Sequence, residues 1–199
     1  VGEAYKRSLA GGKNKNNYYT PYATLRLYLN ELDGIPDKLL YLDIDTMCLQ
    51  DVSALYDTDL GGCEFAGVPD RLGKFFVNKR YCNSGVLLLN MPLIRSNRLF
   101  ERVRDFVASR RMFTPDQSAL NKCAEKKLLL PKKFNEQSKI SEETVIKHFC
   151  RDVRFLPFFH TYNIKQWQRD KVHKKLKIHD FDDIYKQFDE IAEKYDLNR

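Results

Sequence analysis

The sequence predicts an α/β domain built on a mostly parallel sheet flanked by helices, and three observations predict it. Short apolar runs at Lys38–Asp43, Cys63–Val68 and Cys82–Asn90 end abruptly in polar residues, as buried strands do. Between and after them lie stretches with helical spacing of apolar residues, notably over 92–110. Strands alternating with helices favour helices packed on the faces of one sheet.

Taken in order, residues 1–18 contain GGKNKNN and read as a loosely held polar arm. Tyr22, Leu25, Leu29 and Leu32 carry a helical pattern over 19–32, closed by Asp33-Gly34 and Pro36. The run CNSGVLLLN at 82–90 is too continuously apolar for one wet face, so burial on both faces is expected. Leu93, Phe100, Val103, Phe106 and Val107 give one apolar side to a single long helix over 92–110. Thr114-Pro115-Asp116 has the form of a helix start with proline at the first helical position. Short strands are expected at 128–130 and 145–149, and a last helix within 178–199, over about 181–195. One domain fits the length of 199 residues, with neither internal repeat nor second domain.

The composition, 43% hydrophobic and 13% aromatic, is that of a folded globular chain. No apolar run approaches the roughly 18 residues that cross a bilayer, and residue 1 opens no secretory leader. Five cysteines, odd in number and without CxxC spacing, read as reduced thiols and predict a cytoplasmic location. The net charge of +7 is concentrated: residues 121–180 hold 15 Lys/Arg against 7 Asp/Glu. Such a surplus suits phosphates or an anionic membrane face, at the inner surface of the cell membrane, or is simply a solvated basic surface. Nothing in the chain has the form of a zinc finger or an aromatic RNA-binding motif, so no nucleic-acid partner is expected.

Chemistry enters at the end of the first apolar run, LLYLDIDTMCLQ. Side chains two apart on a strand point the same way, so Asp43 and Asp45 are expected to project together beyond its tip. Paired carboxylates repel and are costly to bury without a cation, and hard oxygen donors suit Mn²⁺ or Mg²⁺. Two solvated acids in a turn are the plainer alternative. Asp70, the Asn83-Ser84-Gly85 step and His148 also fall at strand ends, where ligands bind in sheets of this class. Each has an ordinary reading when taken singly. Gly85 could answer to a ligand or to a neighbouring strand, Asp116-Gln117 could be an acidic first helical turn, and His148 in VIKHFC could be a hydrogen-bonded core residue. Lys165 and Trp167 in NIKQWQ suggest a diphosphate neighbour or plain surface.

Assembled in order, LRLYLNEL, DKLLYLDIDTM, AGVPD, CNSGVLLLNM, PDQSALN, LLLPKKFN and IKHFC resemble glycosyltransferase family 8, over about residues 19–175. The family comprises retaining sugar-nucleotide transferases of GT-A fold (Rossmann-like) that serve bacterial polysaccharide and lipopolysaccharide assembly. The resemblance implies that Asp43, Asp45 and His148 bind the metal ion, and that Arg26 contacts donor phosphate or sugar. It implies that Asp70, Asn83, Ser84, Gly85, Asp116 and Gln117 line the donor-sugar pocket, with Gln117 beside the anomeric carbon and Asp116 on a sugar hydroxyl. The implied partners are a nucleotide-sugar donor, UDP-glucose or UDP-galactose, and a glycan or lipid-linked acceptor.

Two departures accompany the resemblance. The family opens with a base-binding strand and loop well ahead of the DxD, whereas 42 residues precede Asp43 here, so an N-terminally incomplete domain is expected. After His148 the sequence is HFCRDVR, and Arg154 and Lys165 compete for the family's diphosphate-binding lysine. Two readings stand outside the family. A haloacid-dehalogenase-like phosphatase also begins with an apolar strand and DxD, and His179-Asp180-Phe181-Asp182-Asp183 could mimic its later acidic motif. A non-catalytic domain could bind anionic surfaces through its basic half.

Overall fold

The computed structural model describes residues 21–112, 114–154 and 160–196, so the expected arm at 1–18 lies outside the described residues. The strands are β1 (Lys38–Leu42), β2 (Thr46–Cys48), β3 (Phe65–Pro69), β4 (Cys82–Asn90), β5 (Lys127–Leu129), β6 (Ile146–His148), β7 (Asp152–Arg154) and β8 (His160–Tyr162). The helices are α1 (Ser53–Tyr56), α2 (Gly73–Phe76), α3 (Met91–Ser96), α4 (Leu99–Ser109), α5 (Pro115–Cys123), α6 (Arg169–Lys171) and α7 (Asp182–Lys194). A 3₁₀ helix at Pro21–Glu31 precedes them.

Four strands form the central sheet in the order β1-β4-β3-β5. The α/β class holds, and the sheet is mixed, but the expectation of a mostly parallel one does not. The β1–β4 and β4–β3 pairs are antiparallel and only β3–β5 is parallel. A parallel neighbour needs a crossover of a dozen or more residues, and only the β3-to-β5 path contains full helices, α4 and α5. The links around β3 carry only the four-residue α1 and α2. Two further antiparallel pairs, β2–β6 and β7–β8, lie outside the main sheet.

β4 is the axis of the core, with eight of its nine residues buried. Leu87 and Leu89 face one apolar cluster with Met91, Leu99, Phe100 and Leu120, while Val86 and Leu88 face the other with Leu55, Ala66, Phe134 and Ile146. That two-sided burial is why the run does not alternate in polarity. A third cluster of Phe149, Ile164, Val172, Phe181 and Tyr185 roots α7 and the segment before it.

The long helix expected over 92–110 is two helices. Asn90 caps α3, its side chain accepting a hydrogen bond from the Leu93 N–H (3.2 Å), and Arg98 breaks the run in the left-handed region at φ 51°. The kink lets Leu99 and Phe100 turn into the core, where both are almost wholly buried. The expected helix at 19–32 is wound as a 3₁₀ helix with three residues per turn; the whole turn Arg26, Leu27 and Tyr28 is buried, while Leu25 and Leu32 face outward. α5 begins with Pro115 at its start and Asp116 in its first turn. Asn121 fastens it to β4 through hydrogen bonds to the Cys82 N–H and carbonyl, each 2.7 Å.

Candidate active site

Directly after β1 the chain turns, with the Thr46 N–H donating to the Asp43 carbonyl (3.1 Å) and the Asp43 N–H to the Gly85 carbonyl (2.8 Å). Asp43 and Asp45 are therefore presented by a turn rather than by strand alternation, and Ile44 between them points into solvent. The last residue of β6, His148, closes on them, being paired in register with Thr46. One ligand atom from each of Asp43, Asp45 and His148 falls within 4.8 Å of the others. They open into a cleft of about 350 Å³ lined also by Arg26, Asp70, Asn83, Asp116, Gln117 and Lys165.

The electrostatics explain how two carboxylates share this cleft. Arg26, almost wholly buried, lies 3.2 Å from Asp43 Oδ1 and 3.1 Å from Asp116 Oδ2, and donates to the Ser84 carbonyl. Tyr41 Oη donates to Asp43 Oδ1 at 2.8 Å. Asp45 is held by the Lys165 ammonium on one oxygen and by His148 Nε2, at 3.2 Å, on the other. Burial pushes the Asp116 carboxyl up, opposed by the Arg26 guanidinium. Burial also pushes Asp45 up, but the His148 ring and the Lys165 ammonium outweigh it and hold its carboxyl at about 2.

A hydrogen-bonded chain runs beneath these charges. His148 Nδ1 lies 3.1 Å from Asn135 Oδ1, and Asn135 Nδ2 donates to Asn83 Oδ1 at 3.0 Å. Asn83 Nδ2 donates to Asp70 Oδ2 (3.1 Å), which also accepts from Gln117 Nε2 (3.2 Å). Gln117 Oε1 then accepts from the Ser84 N–H (3.0 Å) and hydroxyl. Because an amide oxygen only accepts, Nδ1 donates to Asn135, so Nε2 is the nitrogen that faces Asp45 and the one that would give up its proton to ligate a cation. This orientation, with two nearby carboxylates, fits a divalent cation.

A model of glycosyl transferase family 8 matches residues 6–171. The chain belongs to glycosyltransferase family 8. This family member is similar to general stress protein A of Bacillus subtilis (strain 168), with 28% identity over 120 residues, 54% of this chain and 42% of that protein. It is also similar to the lipopolysaccharide 1,2-glucosyltransferase of Escherichia coli (strain K12), with 31% identity over 132 residues, 59% of this chain and 39% of that one. The chain spans about two fifths of the length of these relatives. The crystal structure of galactosyltransferase LgtC in complex with donor and acceptor sugar analogs aligns with TM-score 0.62 and 20% identity, over 85% of this chain and 69% of that one. Apo mouse xyloside xylosyltransferase 1 aligns with TM-score 0.52 and 15% identity, over 70% and 68%. These likenesses show the GT-A fold.

Within this family 8 chain, the cleft brings together eleven of the twelve site residues expected from sequence: Arg26, Asp43, Asp45, Asp70, Asn83, Ser84, Gly85, Asp116, Gln117, His148 and Lys165. Arg154 ends β7, and its side chain lies outside the description. Asp70 is less available than a pocket-lining acid suggests, since its Oδ1 accepts from the Leu72 and Gly73 N–H groups and its Oδ2 from Asn83 and Gln117. Gly85 answers to a neighbouring strand's side chain: a Cβ there would lie 2.1 Å from His148 Cε1. The acidic stretch after His179 does not join the cleft, because Asp182 is held instead by His173 and His179. Sequence reasoning missed Asn135 and Tyr41. Asn135 closes the LLLPKKFN segment, but a lone asparagine carries no chemical signature until its partners are in place.

Two expectations follow. Asn135→Leu removes the acceptor that fixes the His148 ring, and should weaken Mn²⁺ binding on the order of 10- to 100-fold, read by isothermal titration. The second concerns acid. A carboxyl whose folded pKa is depressed adds stability above its unfolded pKa and loses it as pH falls through the folded value. Asp45 therefore contributes on the order of 2 kcal/mol that disappears between about pH 4 and about pH 2. Thermal melts across that window should fall more steeply for the native chain than for Asp45→Asn.

Proposed function

We propose that this chain moves a hexose from a nucleotide sugar, UDP-glucose or UDP-galactose, to a hydroxyl of a glycan or lipid-linked acceptor with retention of configuration. The observation that carries the reading is the convergence of Asp43, Asp45 and His148 at the same cleft as Arg26, Asp116 and Gln117. The E. coli relative's name, a lipopolysaccharide glucosyltransferase, and the donor and acceptor sugar analogs of the LgtC structure support sugar substrates. Asp43, Asp45 and His148 would hold Mn²⁺ or Mg²⁺, which when bound supplies positive charge for a diphosphate.

The protein's own groups account for the rest. As the anomeric C1–O bond breaks, its electron pair goes to the departing diphosphate, and Lys165 and Arg26 lie in the same cleft to offset that charge. The acceptor oxygen bonds to C1 on the face the diphosphate leaves, and its proton passes to a diphosphate oxygen. The Gln117 amide oxygen is our candidate for stabilising positive charge at C1, and Asp116 for orienting a sugar hydroxyl. Asp70, Asn83, Ser84 and Gly85 shape the sugar pocket. Lys165, which lines the cleft, is our candidate for contacting the diphosphate, and Arg154 remains the other.

Family membership displaces the phosphatase reading, and an intact ligand triad gives no support to a non-catalytic domain. We take residues 1–199 as one GT-A-like domain acting on the cytoplasmic side, with its basic half near an anionic membrane. The five free thiols accord with that compartment. Among the described residues no helix is long and apolar enough to cross a membrane. The test is turnover of a panel of nucleotide sugars by the full protein, with Mn²⁺ and with chelator. Cation-dependent turnover of one UDP-hexose, releasing a sugar of the donor's anomeric configuration, is expected. Release of phosphate from simple phosphoesters without any sugar-nucleotide turnover overturns the reading.

A further inference from the structure

Outside the cleft, three metal-ligating side chains meet where the segment after α6 turns into α7. His173 Nε2 lies 2.7 Å from Asp182 Oδ1, and His179 Nδ1 lies 3.3 Å from Asp182 Oδ2. The two imidazoles stack with centroids 4.7 Å apart and planes 15° from parallel. One ligand atom of each residue lies within 4.8 Å of the others. The proposed transfer uses none of the three, and all lie beyond residue 171, where the family match ends.

A single histidine on a helix-start aspartate would be an ordinary hydrogen bond. Two rings converging on one carboxylate from separate turns are a different arrangement. Imidazole nitrogens with one carboxylate are a donor set for Zn²⁺ rather than for Mn²⁺ or Mg²⁺, which prefer oxygen. Tetrahedral Zn²⁺ with bonds of about 2.0–2.1 Å spaces its donors about 3.3 Å apart. The His179–Asp182 gap of 3.3 Å already has that spacing, the His173–Asp182 gap of 2.7 Å has to open by about half an ångström, and all three side chains are exposed enough to adjust by rotation. The partial positive charge at the start of α7 opposes a cation, but Asp180 and Asp183 add negative charge on either side of Asp182.

We infer that His173, His179 and Asp182 form a surface site for a borderline divalent cation such as Zn²⁺, with water completing its coordination. The site is chemically distinct from the Asp43–Asp45–His148 set. An ion here clips the π-helical turn at Val172–Leu176 to the first residue of α7. α7 in turn reaches the cleft wall: Tyr185 Oη donates to the Gln166 carbonyl at 2.9 Å, next to Lys165. Occupancy therefore stiffens the segment that carries the Lys165 ammonium.

The probe is Zn²⁺ itself, titrated calorimetrically into the full protein carrying Asp45→Asn, so that the cleft does not compete. Co²⁺ absorption reports coordination geometry. One equivalent should bind, with intense visible bands for Co²⁺ and a raised melting temperature. His173→Gln with His179→Gln should weaken binding at least about tenfold and abolish the bands, and Asp182→Asn should act likewise while keeping a side-chain oxygen for the helix start. Unchanged Zn²⁺ binding in these variants, or affinity no better than about 0.1 mM, overturns the site. Because the readout is binding in a cleft-disabled protein, failure of the transfer reading would leave this result untouched.

Discussion

Asp45→Asn is expected to lower cation-dependent turnover of a UDP-hexose on the order of 10³-fold while the protein stays folded. The amide keeps the shape of the carboxylate, so packing around residue 45 is conserved. It removes the negative charge shared between His148 and Lys165 and reduces the hard oxygen donors that face Asp43. Stability should fall by on the order of 1–2 kcal/mol at neutral pH, because the Lys165 ammonium exchanges a charged partner for at most a neutral amide oxygen beside the Phe149 carbonyl. The measurement pairs turnover with Mn²⁺ titration and circular dichroism. Loss of turnover with an unaltered spectrum supports the assignment, and unaltered turnover defeats the role of Asp45.

Gly85→Ala should be nearly as damaging by another route. The added methyl would sit 2.1 Å from His148 Cε1, and 2.7 and 2.8 Å from the two ring nitrogens. His148 is almost wholly buried, so its ring cannot swing into solvent without breaking its bond to Asn135. Forcing the ring aside should cost about 1–3 kcal/mol of stability. It should also weaken Mn²⁺ binding on the order of 10- to 100-fold. Urea denaturation and metal titration on the same preparation separate the two effects. A variant of native stability and native metal affinity would mean that the ring and the glycine do not constrain one another.

The sequence made most of this architecture legible where one interaction dominates. β4 is read to the residue because burial on both faces demands an unbroken apolar run. The Asp43–Asp45 pair announces itself because carboxylates after such a run need a reason. Strand direction was not legible, since it depends on whether a connection lays a full helix across the sheet, and the paths into β4 from β1 and from β3 carry only the short α1 and α2. The break at Arg98 was hidden because an arginine in the left-handed region violates local preference for the sake of Leu99 and Phe100 in the core. β2, β7 and β8 are three residues each, too short to show a period. The role of Asn135 emerges only from contacts between residues 52 and 13 positions away, which no local pattern encodes.

Arg26 reaches the cleft from a tightly wound segment, and it grips oxygens of the β1 turn, of β4 and of α5. One guanidinium thus acts as a keystone for pieces that are distant in the chain. The approach of residues 43, 84 and 116 depends on where a helix outside the sheet is seated, and whatever tilts that helix would splay the sugar end and the phosphate end of the cavity at once.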